Sequence, residues 1–394
     1  MTVYFRAVFA ATCAAAAIAM PATAGTGRIT LNDTGMTQCI DHHKDWSSDC
    51  TKSRQDAADG RDADVNIPDD GAAGFSFQKV CRSGQMAGDG SCPVDPPLGS
   101  GPDDWGCVYD NVTQLTWEAK TDDSGMHDYQ RFYTNKGEKA RGDSSDVAWL
   151  VDATNAETLC GATNWRLPGV LELQSIVAYG NGAPGMPYPW IDPTFFIYTL
   201  GGHAWTSVED VHEHRFVWYV HFGNGRVSSD ARFKPYGVRL VHNLTAQGQA
   251  SLGKARFIPS PDGTEVTDIM TGLAWRRCAE GMAWNNDAQT CDGLATLFDW
   301  QDALDHARAN HEGGWRIPNI KELLSLANHK KRHQTLDELA FPNSPLSFLS
   351  STAVDSNGDV FVKYVGFTKG SVEERAAYNN NAPLPLRFVR RGRE

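Results

Sequence analysis

Residues 107–118 read Cys-Val-Tyr-Asp-Asn-Val-Thr-Gln-Leu-Thr-Trp-Glu, and residues 266–276 read Val-Thr-Asp-Ile-Met-Thr-Gly-Leu-Ala-Trp-Arg. Laid over one another, Asp110 meets Asp268, Thr113 meets Thr271, Leu115 meets Leu273 and Trp117 meets Trp275. The order of landmarks then repeats downstream. Trp165-Arg166-Leu-Pro168 answers to Trp315-Arg316-Ile-Pro318, Glu172-Leu to Glu322-Leu, and Trp205-Thr-Ser to Leu349-Ser-Ser. Val238-Arg-Leu-Val closes the first block and Leu386-Arg-Phe-Val the second. Two copies at so long a period make a tandem domain pair, because a solenoid needs three or more short repeats.

Each block opens on a turn followed by an alternating strand. In the second, Trp300, Ala303, Leu304 and Ala307 recur at helical spacing, and Val147–Cys160 is the weaker counterpart in the first. Pro168 and Pro318 suit the first position of the short amphipathic helices expected after them. Phe216–His221 and Val360–Phe367 are expected as strands ending in glycine-containing turns. The fold class is therefore α+β, strand, helix, helix and then mostly strands in each copy.

Outside the repeat, residues 1–24 carry Arg6, an Ala-rich apolar stretch and Ala22-Thr23-Ala24, the pattern of a cleaved export signal. The predicted organisation is a signal peptide over 1–24, an acidic loop-rich segment over 25–74, and domains over 75–248 and 249–394. No long apolar run follows the leader, so no integral membrane span is expected in the mature chain. Cys13 leaves with the leader. The other eight cysteines are expected to pair with neighbours in an oxidising compartment, as Cys39–Cys50, Cys81–Cys92, Cys107–Cys160 and Cys278–Cys291. The expected location is extracellular, at the cell surface or in the periplasm. The formal net charge is −12, with the acidity concentrated before residue 250, which argues against nucleic acid as a partner.

Asp-x-x-Thr-x-Leu-x-Trp, Trp-Arg-Leu-Pro followed by Glu-Leu, a Trp-Ser-Ser-like turn and a closing Val-Arg-x-Val-Arg resemble the Lcl C-terminal domain family in both copies. The resemblance implies a C-type-lectin-like fold in each copy. It also implies a secreted or surface bacterial protein, often an adhesin or appendage component, with glycan binding as one expected role. The sequence departs from the pattern at Thr206, at His242 and at Leu349, where an aromatic is usual. No collagen-like Gly-X-Y segment is present. Formylglycine-generating chemistry, found on the same fold, uses cysteines near the domain end, and none lies beyond Cys291.

No G-x-S-x-G, H-E-x-x-H or P-loop occurs, and the chain is expected not to be an enzyme. The expected function is binding of a glycan or a surface protein; the alternative is a structural subunit that contacts copies of itself. Calcium is the cofactor candidate, with Asp59, Asp62, Asp64, Asp69 and Asp70 as hard oxygen ligands. His203, His212, His214 and His221 are weighed as a soft-metal group, with His212 and His214 on one side of a strand. Tyr188, Trp190 and Trp205 are candidates for stacking on a sugar ring. Trp165 and Trp315 are expected as core anchors, with Arg166 and Arg316 paired to a local carboxylate or carbonyl. Glu172 and Glu322 are expected as first-turn helix acids.

Overall fold

The computed structural model describes residues 30–41, 43–59, 74–243, 255–378 and 383–392. The leader and Asp62, Asp64, Asp69 and Asp70 lie outside them.

The N-terminal segment holds β1 (Cys39–Ile40), β2 (Trp46–Ser47) and α1 (Asp56–Asp59). The first copy contains β3 (Phe77–Cys81), β4 (Trp105–Asp110), β5 (Leu115–Glu118), α2 (Val147–Glu157) and α3 (Val170–Ser175). It continues with β6 (His203–Glu209), β7 (Phe216–His221), β8 (Val227–Ala231) and β9 (Val241–Asn243). The second copy starts with β10 (Phe257–Pro259), β11 (Glu265–Asp268), β12 (Leu273–Arg276), β13 (Ala283–Asn285), β14 (Thr290–Asp292) and β15 (Leu297–Phe298). It ends with α4 (Trp300–Ala309), α5 (Ile320–Ser325), β16 (Ser347–Ser356), β17 (Asp359–Gly366), β18 (Ser371–Ala376), β19 (Leu384–Pro385) and β20 (Val389–Arg391). The fold is thus mostly β-sheet with a few short helices.

The motifs become the same local structures twice. The Asp110 carboxylate accepts from the backbone N–H groups of Val112 and Thr113 at 2.9 and 3.1 Å, so it shapes the turn that joins β4 to β5. Asp268 does the same for β11 and β12 through the Met270 N–H at 3.1 Å. The tryptophan that follows lies in the middle of a four-stranded sheet. Trp117 pairs with Val108 and Val241, and Trp275 with Val266 and Val389. Both are fully buried. Pro168 and Pro318 are not the first helical residues. Gly169 and Asn319 are the N-caps, and each proline stands one step outside. The Glu three residues after the cap folds back onto the cap's own N–H, at 2.6 Å for Glu172 and 3.0 Å for Glu322.

The copies are joined by a sheet. Its order is β16-β17-β18-β8-β7-β6, three strands from each copy. Across the seam Val227 pairs antiparallel with Val372. One row of this sheet runs Ala204, Val220, Val227, Val372, Val365, Phe348, and all six are buried in a core shared by both copies. Lys363 reaches across the seam to donate to the Asn224 carbonyl at 2.7 Å. Smaller clusters close the outer side of each copy, one around Trp165 and Trp205, the other around Trp300 and Leu304 of α4. The four disulfides join the pairs that spacing points to.

Candidate functional site

The two copies diverge around one tryptophan. In the first, Trp165 is 2% exposed and its indole Nε1 donates to the Leu159 carbonyl at 2.9 Å. The Cys107–Cys160 disulfide links β4 to the turn after α2 beside it, and the His242 ring meets the indole edge-on at 4.4 Å. In repeat register the second copy replaces Cys107 by Glu265, Cys160 by Asn310, His242 by Arg390 and Glu118 by Arg276. A covalent, largely apolar surround thus becomes a charged one. Trp315 is only part-buried, with the guanidiniums of Arg276 and Arg390 at 5.2 and 4.9 Å from its ring centre.

Trp315 borders an open cleft of about 250 Å³, lined also by Thr264, Glu265, Arg276, Glu280 and Trp284 among others. Trp284 stands on the hairpin of β13 and β14, which the Cys278–Cys291 disulfide braces. Trp284 and Asn285 end β13, and residues 286–289 form the turn of the hairpin. Arg277 stacks on the Trp284 ring at 3.9 Å. Glu280 takes Arg276 Nη1 at 2.9 and 3.1 Å and faces His306 Nε2 at 2.9 Å, while Arg390 bonds Glu265 at 2.5 Å. The cleft offers two indoles, paired guanidiniums and carboxylates, an arrangement suited to stacking on a ring and exchanging hydrogen bonds with hydroxyls. Repeat register alone exposes the Cys107 to Glu265 and Cys160 to Asn310 exchanges; the role of Trp284 needs the hairpin.

The other residues singled out in the sequence fall elsewhere. Arg166 and Arg316 each make a two-pronged ion pair, with Glu172 at 2.7 and 2.7 Å and with Glu322 at 2.7 and 2.6 Å. Burial alone would depress the Arg316 pKa, but the Glu322 carboxylate outweighs it and raises the value. These are structural clamps. Trp190 and Trp205 are 6% and 0% exposed, so neither can stack on a sugar; each was needed to fill a core. Tyr188 is 69% exposed and remains accessible, its hydroxyl donating to the Gly201 carbonyl at 3.2 Å.

Of the calcium candidates within the described residues, Asp59 is paired with Arg54 at 3.2 Å. Among the described residues no group of three or more His, Cys, Asp or Glu is placed to hold a metal. The four histidines do not converge. His203 and His221 are cross-strand neighbours with rings 4.7 Å apart, whereas His212 and His214 sit in the turn between β6 and β7, not on a strand. His212 faces Asp210 at 3.1 Å and His214 faces Arg332 at 3.3 Å. Burial, followed by the neighbouring His221, lowers the His203 pKa to about 4.

Sequence reasoning missed a second charged cluster. Glu118, fully buried, accepts from Lys120 Nζ at 2.6 Å and the Leu240 N–H at 2.8 Å, and faces His127 Nδ1 at 2.7 Å. His127 Nε2 meets Glu157 at 2.7 Å. Arg239, also buried, donates to the Glu118 carbonyl at 2.7 Å; its counterpart Arg387 donates to the Arg276 carbonyl at 2.7 Å.

The model of the Lcl C-terminal domain matches residues 106–242 and again residues 264–390. The chain belongs to the Lcl C-terminal domain family. It carries two tandem copies, and membership points to an adhesin-like surface protein. No curated protein matches the chain. Among the described residues, no helix is long and apolar enough to cross a membrane.

Proposed function

We propose that this Lcl-domain pair is an exported, non-enzymatic binding protein of the cell surface, extracellular matrix or periplasm, and that the second-copy cleft takes a glycan. The observation that carries this reading is the divergence at the repeated tryptophan. Trp165 is sealed in a core while Trp315 lines an open cleft beside Trp284. A residue needed only for folding would be buried in both copies. Four disulfides fit an oxidising compartment. A C-type-lectin-like assignment for each copy belongs to the same reading, as does calcium, whose acidic candidates lie mostly outside the described residues.

The test is a glycan array probed with the exported protein, in calcium and in a chelator, followed by calorimetry on the best hit. Trp284→Ala should abolish binding while leaving the melting temperature within a few degrees. Undiminished binding by Trp284→Ala removes the cleft from the proposal. Absence of any glycan signal, together with concentration-dependent self-association in light scattering, replaces it with the structural-subunit reading.

A further inference from the structure

A short piece of the N-terminal segment is the keystone of the molecule. Every residue from Leu31 to Met36 is buried. Asn32 donates to the Asp110 carboxylate of the first copy at 2.5 Å, and the Gly180 N–H donates to the Thr34 carbonyl at 3.1 Å. On the other side Asn319 of the second copy donates to the Asp33 carboxylate at 2.7 Å. Lys321 ties both copies to the strap, donating to the carbonyls of Asp33 at 2.5 Å and Ser175 at 2.8 Å. Thr34 and Thr352 both donate to the Asp56 carboxylate of α1, at 2.8 and 2.7 Å.

Among the described residues Asp56 has no cation within ion-pair distance. Asp56 is 1% exposed. Facing it are Asp33 on the strap, Arg316 before α5 and Glu322 in its first turn, with Lys321 bonded to the strap and the Tyr179 phenol nearby. One Asp56 oxygen takes both hydroxyls, and the other is buried without a hydrogen-bond partner. A carboxyl so placed is held in its protonated form, because ionising it would leave a dry negative charge with no bonded cation. The hydroxyl partners of Asp56 can turn to accept from a protonated carboxyl as easily as they donate to an ionised one.

We propose that residues 30–59 are a latch that clamps the two copies together with Asp56 protonated and loosens as the pH rises. Burial first, and the Asp33 charge second, lift the Asp56 carboxyl from 3.8 to about 7. Because the folded value lies above the unfolded one, the contribution of this group to docking is complete below 3.8. It is lost as the pH rises through about 7. Between those two values one proton is taken up on docking, so the latch weakens by up to about tenfold per pH unit and its strength levels off above about 7.

The experiment is hydrogen exchange on the full chain from pH 4 to 9, read on peptides covering 30–41 and 43–59 after correction for intrinsic exchange. Wild-type protection should fall by up to about a hundredfold between pH 5 and 7 and level off above that, and Asp56→Asn should show a flat profile. Parallel profiles for the two proteins, or a pH-independent latch in the wild type, overturn the proposal. Should Asp56→Asn not fold, Thr352→Val serves instead. It deletes a hydrogen bond that holds the Asp56 pKa down, so release must move to higher pH; an unmoved or lowered release point counts against the latch.

Discussion

Val227 pairs with Val372, which is its own counterpart in the repeat. The two equivalent strands meet antiparallel, as identical surfaces do in a two-fold dimer. The chain therefore carries its own dimer partner, and the buried row through both valines makes one core from two copies. Val372→Arg would place an uncompensated charge at the centre of that row. The wild type is expected to melt in one calorimetric transition. The variant should lose several degrees and split into two transitions, one per copy, each retaining its outer cluster. A single transition in the variant would mean the copies do not depend on the seam.

Trp165 and Trp315 separate folding from function at one repeat position. Trp165→Ala removes a buried indole and its hydrogen bond and should cost about 3–5 kcal/mol. Trp315→Ala should cost clearly less, because the side chain is part-buried and its guanidinium neighbours keep their carboxylates. Urea midpoints of the two variants give the comparison. Equal losses would return Trp315 to the role of core anchor.

Much of this was legible in the chain. The repeat shows when the chain is laid over itself, and the Asp-turn-Trp hairpins, the α4 periodicity and the short disulfide loops are readable from residues close in sequence. What was not legible depends on distance. The strap looks like loop because its burial comes from surfaces around Gly180 and Asn319, far along the chain. The seam pairs β8 with β18, and no local pattern distinguishes a strand that ends a sheet from one that joins two. Trp190 and Trp205 read as possible stacking faces because composition shows that a residue is aromatic, not which side of the sheet it fills. The proline assignment failed by one step, since Gly169 and Asn319 are the caps and each proline precedes its cap instead of following it.

The two Arg–Glu clamps have the same geometry and different burial. Arg316 and Glu322 expose 11% and 2% of their side chains, Arg166 and Glu172 43% and 28%. Glu322→Gln should leave a buried guanidinium without its partner and cost about 3–5 kcal/mol. Glu172→Gln should cost about 1 kcal/mol, since water screens the pair and only the capping contact is weakened. Matching losses in chemical denaturation would show that solvent does not reach the first clamp.

The Glu118–His127 contact sets a pH window. Burial works against both charges, but Lys120 and His127 hold Glu118 down at about 2, and Glu118 with Glu157 raises the His127 pKa above 6.5. The lowered carboxylate stabilises the fold above 4.5 and loses that effect as the pH falls through about 2. The raised imidazole stabilises it below 6.5 and loses that effect as the pH climbs through its folded value. Both contributions are complete between 4.5 and 6.5. The stability gap between wild type and His127→Gln, about 1–3 kcal/mol, should be widest there and shrink toward pH 9. A gap that grows with pH would show that His127 is neutral in the fold.

Gly180 is where the strap comes closest to the first copy. A β-carbon at this position would lie 1.8 Å from the Gly35 carbonyl oxygen and 2.6 Å from its carbon, both backbone atoms that cannot rotate away. Gly180→Ala must therefore move the strap or the turn after α3. The strap is the side expected to yield, because the turn is fixed by Tyr179, fully buried and bonded to the Gly225 carbonyl at 2.8 Å. Brief trypsin treatment should cut Gly180→Ala after Lys52 or Arg54 at least tenfold faster than wild type at neutral pH, with the rest of the chain equally resistant. Cleavage throughout the first copy instead would place the yielding element in the turn and make Gly180 a residue of the core rather than of the latch.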